Sequence, residues 1–180
     1  DYFGQPLAEA ELLTLMAEAE GGVSGGIHYD NVAPSYFGGL QLMLPQSPQI
    51  CRSLPWFEHW RVVLSYPGTV LSTKAARAVL PQQLSLTHSI SFAGMLSRFV
   101  SAMYVKDEAE AVAALQDLIA EQPRTPLLPE LPLLRQALSA QGILHLGISG
   151  AGPTLFALCA NDAQAQLAAD YLTRHYEKNQ

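Results

Sequence analysis

The chain has 180 residues, about half of them apolar, and a formal net charge of −6, so it can build one medium domain, or one plus part of another, around a real core. Its ten basic residues are scattered, which leaves no broad positive face for nucleic acid or an anionic membrane. Cys51 and Cys159 make no zinc or CxxC spacing and read as reduced thiols of a cytoplasmic protein, while no apolar run approaches the ~20 residues of a membrane span and no secretion signal opens the chain.

The first element is a helix over "QPLAEAELLTLMAEAEGG". Pro6 suits its first turn, Glu9 and Glu11 lie near the positive end of its dipole, and Leu12, Leu15, Met16 and Ala19 share a face. Gly21 and Gly22 are expected to stop it. After a glycine-rich stretch, "GGLQLML" predicts a short strand ending at Pro45, and the proline-rich residues 45–56 read as a linker and domain boundary. "HWRVVLSYP" predicts a strand centred on Val62, Val63 and Leu64. It is followed by a helix capped by Ser72 and stopped before Pro81. Residues 85–104 predict a longer helix, "DEAEAVAALQDLIAE" another capped by Asp107, and "PELPLLRQALSAQG" a third closed by Gly142. "ILHLGISGAGPTLFALC" predicts a hairpin around SGAG, and "NDAQAQLAADYLTRHYEK" a final amphipathic helix. From the linker onward the order is strand, helices, strand, strand, helix: a split βαβ, ferredoxin-like pattern lacking its last strand. Both ends of the chain read as cut.

Four places could carry chemistry. Glu20 stands at the C-terminal end of its helix, where the dipole disfavours an anion by a few tenths to ~1 kcal/mol, so a cation such as Mg²⁺ would relieve it. A solvated surface position would suit it as well. His28, Asp30 and Asn31 follow in a loop flanked by Gly21, Gly22, Gly25 and Gly26, which permit close approach of a ligand to the main chain. The same residues also suit a capped turn. Their spacing matches neither an HExxH zinc helix nor a calcium loop. "GISGAGPT" could turn main-chain N–H groups toward an anion, or could be only a tight hairpin. Arg77 in a helix and Arg124 in the proline-rich "EQPRTPLLP" offer planar, bidentate guanidinium groups for a carboxylate or phosphate, or ordinary surface ion pairs. His59, His88, His145 and His175 are isolated in the sequence and receive no role.

Together "EGGVSGGIHYDNVAPSYFGGLQL", "YPGTVLSTKAARAVLP", "EQPRTPLLP" and "GISGAGPTLFALC" resemble, in that order, the motifs of homoserine kinases of the GHMP small-molecule kinase superfamily. The resemblance implies an α+β fold. Residues 1–55 would end a ribosomal-S5-like N-terminal domain carrying the metal and substrate loop, and 56–180 would form the ferredoxin-like C-terminal domain. It implies ATP-dependent phosphorylation of the L-homoserine hydroxyl to O-phospho-L-homoserine in threonine biosynthesis, with ATP and Mg²⁺ as cofactors. Glu20 then matches the Mg²⁺ ligand, and His28 and Asn31 match positions that contact homoserine. Arg77 and Arg124 match those that hold its carboxylate, and Ser149, Gly150, Ala151 and Gly152 match the motif beside the nucleotide phosphates. The resemblance also admits a homodimer.

Related kinases usually carry an Asp where Asn31 stands, and Asn has no titratable group to act as base. Catalysis would then rest on in-line positioning by Glu20 and Asn31 and on Mg²⁺ and arginine charge, which suits a loose phosphoryl-transfer transition state. The family's GLGSS-type phosphate loop precedes the region matched here, and the chain alone is expected to have little kinase activity. Another GHMP kinase acting on mevalonate or a sugar, or a non-catalytic ligand-binding module, are the alternatives.

Overall fold

The computed structural model describes residues 7–24 and 26–178, and the chain divides into two compact units, Asp1–Trp56 and Phe57–Gln180. Pro6 and Gly25 lie outside the described residues.

In the first unit α1 spans Glu9–Ser24, with the Glu11 carboxylate accepting the Ala8 N–H at 3.1 Å. The helix continues through Gly21 and Gly22 instead of stopping at them. Glycine is a poor helix former, by roughly 1 kcal/mol, but it does not forbid a helix, and here a close contact requires it. A Cβ at Gly21 would lie 3.1 Å from the Gly26 carbonyl oxygen, so the returning chain could not pass so near any other residue. The buried stripe also differs from the expected one. Leu13 and Ala17 are buried with Val32, and Met16, Tyr29 and Ile50 pack around them, whereas Leu15 is half exposed. Apolar residues lie nearly all round α1, and the neighbouring segment decides which stripe is covered.

Helix α2 spans Val32–Phe37, with Pro34 in its first turn, where the missing N–H costs nothing. Strand β1, Leu40–Met43, then pairs antiparallel with β2, Cys51–Leu54, in the register Leu40↔Leu54 to Met43↔Cys51. The expected linker therefore contains a strand. Its prolines, at 45, 48 and 55, all fall outside the paired residues, where no ladder N–H is needed.

The second unit is built on strands β3, Arg61–Ser65, β4, His145–Ile148, and β5, Leu155–Cys159, in the antiparallel order β3-β5-β4. Five helices lie between β3 and β4: α3 Thr73–Ala78, α4 Leu86–Val105, α5 Glu108–Ala113, α6 Glu121–Arg124 and α7 Leu131–Ser139. Helix α8, Asp162–Lys178, follows β5. One face of the sheet, with Leu146, Leu155, Ala157 and Cys159, packs on Leu131, Leu134 and Leu138 of α7 and Ala168 and Leu172 of α8. Among the described residues no helix is long and apolar enough to cross a membrane.

The expected caps form. Ser72 accepts the Ala75 N–H and Asp107 accepts the Glu110 N–H, each at 3.0 Å. Helix α7 ends in a Schellman turn: Gly142, at φ 84°, donates to the Ser139 carbonyl, Ile143 donates to that of Leu138, and both apolar partners lie in the core. The expected helix over 107–121 is instead broken. After Ala113 the Asp117 carboxylate accepts the N–H groups of Ile119 and Ala120, an alternative to helical bonding that Asp offers readily.

Candidate functional site

The candidate residues fall in both units. In the first, Glu20 lies one turn before the end of α1, half-buried, because the helix runs on to Ser24. The dipole argument is therefore weaker than the sequence suggests, since that field fades within the last turn. The loop folds back over the helix end: Gly26 sits against Gly21, and the His28 Nε2 would lie 3.1 Å from a Cβ at Gly26. The His28 ring thus lies close against Gly26. Asn31 occupies the N-cap position of α2, yet its side chain caps nothing, with φ −100° and ψ −38°. Its exposed amide therefore keeps both a carbonyl and an NH₂ for another partner. Val32, seated against Leu13 and Ala17, fixes where Asn31 stands. Asp30 is exposed in the turn before it.

In the second unit one side chain organises the site. Arg124 is only 9% exposed, the most buried charged residue of the described part. The sequence places it in a loop, but it ends the one-turn helix α6, followed by a 3-10 turn over Thr125–Leu127. Its Nε donates to the Ala76 carbonyl of α3 at 3.2 Å, and its Nη1 donates to the Gly150 carbonyl at 3.0 Å. Three segments distant in sequence are so tied by one guanidinium. Arg77, the next residue after Ala76, is exposed in the last turn of α3.

The SGAG turn closes on itself. Ser149 donates its N–H to the Thr154 carbonyl at 2.8 Å and Gly152 donates to that of Ser149 at 3.0 Å. Main-chain donors for an anion would therefore come from Gly150 and Ala151. Gly150 has φ 59°, and a Cβ there would meet nothing within 4 Å, so the space before it is open to a ligand. Gly152 is hemmed in by Ile148, Leu128 and Leu71, so its side of the turn packs on protein. Beside it a cavity of about 720 Å³ is lined by residues 67–71, Leu127, Leu128, Glu130, Pro153 and Tyr176. Burial and the nearby Glu130 carboxylate push the Tyr176 phenol up to about 12.

The histidines are not isolated in the fold. His59 and the Trp60 indole N–H both meet the Glu108 carboxylate, at 3.0 and 2.6 Å. His88 meets the Leu118 carbonyl, and His175 meets Glu130 at 3.1 Å. His145 lies beside Phe156 near the Glu121–Arg135 ion pair. Each partner lies far along the chain, so no local spacing announces these pairs. Among the described residues no three His, Cys, Asp or Glu converge as a metal cage.

Residues 99–178 match the family model described as GHMP kinases C terminal. Over that stretch the chain is similar to the C-terminal domain of GHMP kinases, and its small antiparallel sheet with packed helices matches the fold of that domain. Solved structures extend the likeness beyond it. The homoserine kinase from Cytophaga hutchinsonii is 28% identical over 98% of this chain and 56% of its own, with a TM-score of 0.90. A putative homoserine kinase from Listeria monocytogenes is 20% identical over 93% of this chain and 54% of its own, with a TM-score of 0.63. The L. major mevalonate kinase, solved with R-mevalonate, is 18% identical over 93% of this chain and 55% of its own, with a TM-score of 0.71. At those two lower identities only the fold is shared. The chain spans little more than half the length of each of these proteins.

Proposed function

We propose that the chain supplies the metal- and substrate-binding part of a homoserine kinase, which transfers the γ-phosphoryl group of ATP to the L-homoserine hydroxyl in threonine biosynthesis. The observation that carries this reading is the likeness to the C. hutchinsonii enzyme across nearly the whole chain. In this reading residues 1–55 close the N-terminal domain, 56–180 form the C-terminal domain, and the protein works in the cytoplasm.

The residues suit the groups this chemistry needs. Glu20 offers one carboxylate with no companion cage, which fits Mg²⁺, an ion that keeps waters and phosphate oxygens as its other ligands. The open space before Gly150 and the N–H groups of Gly150 and Ala151 fit a phosphate of ATP. Bound there, Mg²⁺ and the triphosphate would supply the transferable group and neutralise its charge. Arg77 and Arg124 hold the homoserine carboxylate, and their charge also favours the equatorial oxygens. His28 and the uncommitted Asn31 amide orient the amino acid so that its hydroxyl points along the line of transfer. Asn31 takes no proton, so orientation and charge carry the rate, as a loose transition state permits.

The test is a coupled ADP-release assay on the whole protein with Mg-ATP and either L-homoserine or R-mevalonate. Turnover with homoserine at least ~10-fold above that with mevalonate, by kcat/KM, is the expected result. Equal rates, or a preference for mevalonate, would overturn the substrate assignment while leaving the kinase fold in place.

A further inference from the structure

The sheet of the second unit has two faces, and only one is the core already described. By strand alternation His145, Gly147 and Phe156 stand on the other face, opposite Leu146 and Ala157. With Phe92, Leu96 and Phe99 of α4 they wall an open cleft of about 420 Å³. That size lies within the range of small-molecule sites. The floor is shaped by one glycine: a Cβ at Gly147 would fall 2.6 Å from Phe156 Cε1, so only glycine lets that ring lie on β4. At the mouth Phe92 and Leu96 remain 38% and 45% exposed.

The polar groups in and beside the cleft differ in what they leave available: Gln116 of its lining donates from Nε2 to the Ala113 carbonyl at 3.0 Å, and Arg135 stands beside the lining residue Glu121. Arg135 donates from Nε and Nη2 to the Leu146 carbonyl at 3.0 and 2.6 Å, and from Nη1 and Nη2 to Glu121 at 2.5 and 2.6 Å. Its charge is paired with Glu121, and both N–H groups of Nη2 and that of Nε are engaged. Asp117 holds the N–H groups of Ile119 and Ala120. The His145 imidazole, 5.6 Å from the Phe156 ring centroid, makes no hydrogen bond among the described residues. Burial first, and then the nearby Arg135, pull its pKa below the ordinary histidine value, with Glu121 opposing, so at pH 7 it is a neutral donor and acceptor.

We propose that this cleft is a second small-molecule site, one that takes a neutral, largely apolar ring compound bearing a single hydroxyl or amide group hydrogen-bonded to His145. The rings of Phe92, Phe99 and Phe156 receive the apolar body. An anion is rejected, because no guanidinium is available and Asp117 and Glu121 are both carboxylates. The inference is independent of the kinase reading, since none of these residues serves it.

The test is calorimetric titration of the whole protein with 4-methylphenol, toluene and 4-methylbenzoate. 4-Methylphenol is expected to bind one to one, and 4-methylbenzoate at least ~10-fold more weakly. His145→Phe, which keeps the ring, should weaken 4-methylphenol by ~3- to 10-fold and leave toluene within ~2-fold, as for one lost hydrogen bond. Leu96→Trp, a change at a half-exposed position, should fill the mouth and weaken both neutral probes by at least ~10-fold. Circular dichroism checks that each variant is folded. No binding of any probe, benzoate bound as tightly as the phenol, or a phenol affinity that neither folded variant changes would each overturn the proposal.

Discussion

The candidate residues of the two units are held in opposite ways. Around Glu20, His28 and Asn31 the first unit offers a three-residue buried cluster, Leu13, Ala17 and Val32, and side chains that stand half or fully open. Around Arg124 the second unit offers a ten-residue cluster and a guanidinium sunk among main-chain carbonyls. In the proposed reading this separates two demands. The groups proposed to reach a metal ion and a substrate sit where their loss costs the fold little. The group that also joins three chain segments sits where chemistry and stability cannot be altered apart.

The largest effects should come from the cores. Leu138→Ala, at a fully buried position of α7, should destabilise by about 2–5 kcal/mol, and Leu13→Ala should fall at or below the lower end of that range, because a small cluster collapses more easily onto the gap. Urea midpoints would measure both. Equal losses would erase the contrast between the units. Arg124→Ala comes next. Two charged hydrogen bonds vanish and two carbonyls lose a partner, so about 1.5–3 kcal/mol of stability should go. The homoserine KM should rise by ~10- to 100-fold in the same variant. Arg124→Lys should recover less than half of either loss, since an ammonium on a flexible stem does not reproduce the planar fork. A normal KM with reduced stability would make Arg124 a purely structural residue.

Glu20→Gln should do the reverse, lowering turnover and Mg²⁺ dependence while stability shifts by no more than ~1 kcal/mol. Unchanged rate and metal dependence would remove it from the ion site. The smallest effect should be electrostatic. The Trp60 N–H and His59 hold the Glu108 carboxyl below the usual carboxylate range. With the folded pKa depressed, this contribution is present above the unfolded value near 4.5 and is lost as pH falls through the folded one. The Glu108 side chain is 39% exposed, so Glu108→Gln should cost under ~1 kcal/mol at pH 7. Its urea midpoint should converge with that of the parent as pH falls below the depressed folded pKa of Glu108. A gap that persists in acid would assign the cost to packing instead.

Local rules read much of this molecule. Ser72 and Asp107 cap their helices, Gly142 closes α7, and the SGAG segment turns a hairpin, because each depends on groups within a few residues of one another. The motifs quoted from residues 20–42 and 147–159 likewise lie in continuous chain, and they carried the resemblance unaided. The misses share a different cause. Gly21 and Gly22 were read by propensity, yet the Gly26 main chain lies against Gly21 within a continuing helix. Residues 51–54 look like linker until β1 offers them a ladder. The stripe at Leu13 and Ala17 was one of several that α1 could have buried.

What the sequence determined by itself was therefore the order of the strands and longer helices of the second unit and several of the caps. Only the tertiary structure decided that Arg124 is a buried tie between Ala76 and Gly150, and that His145 faces a cleft beside a neutralised Arg135. The Arg124 tie depends on groups 26 and 48 residues away meeting it in space. No pattern confined to one segment encodes such a meeting, because it is the packing of one element on another that selects which side chains are buried and which polar groups remain free to act.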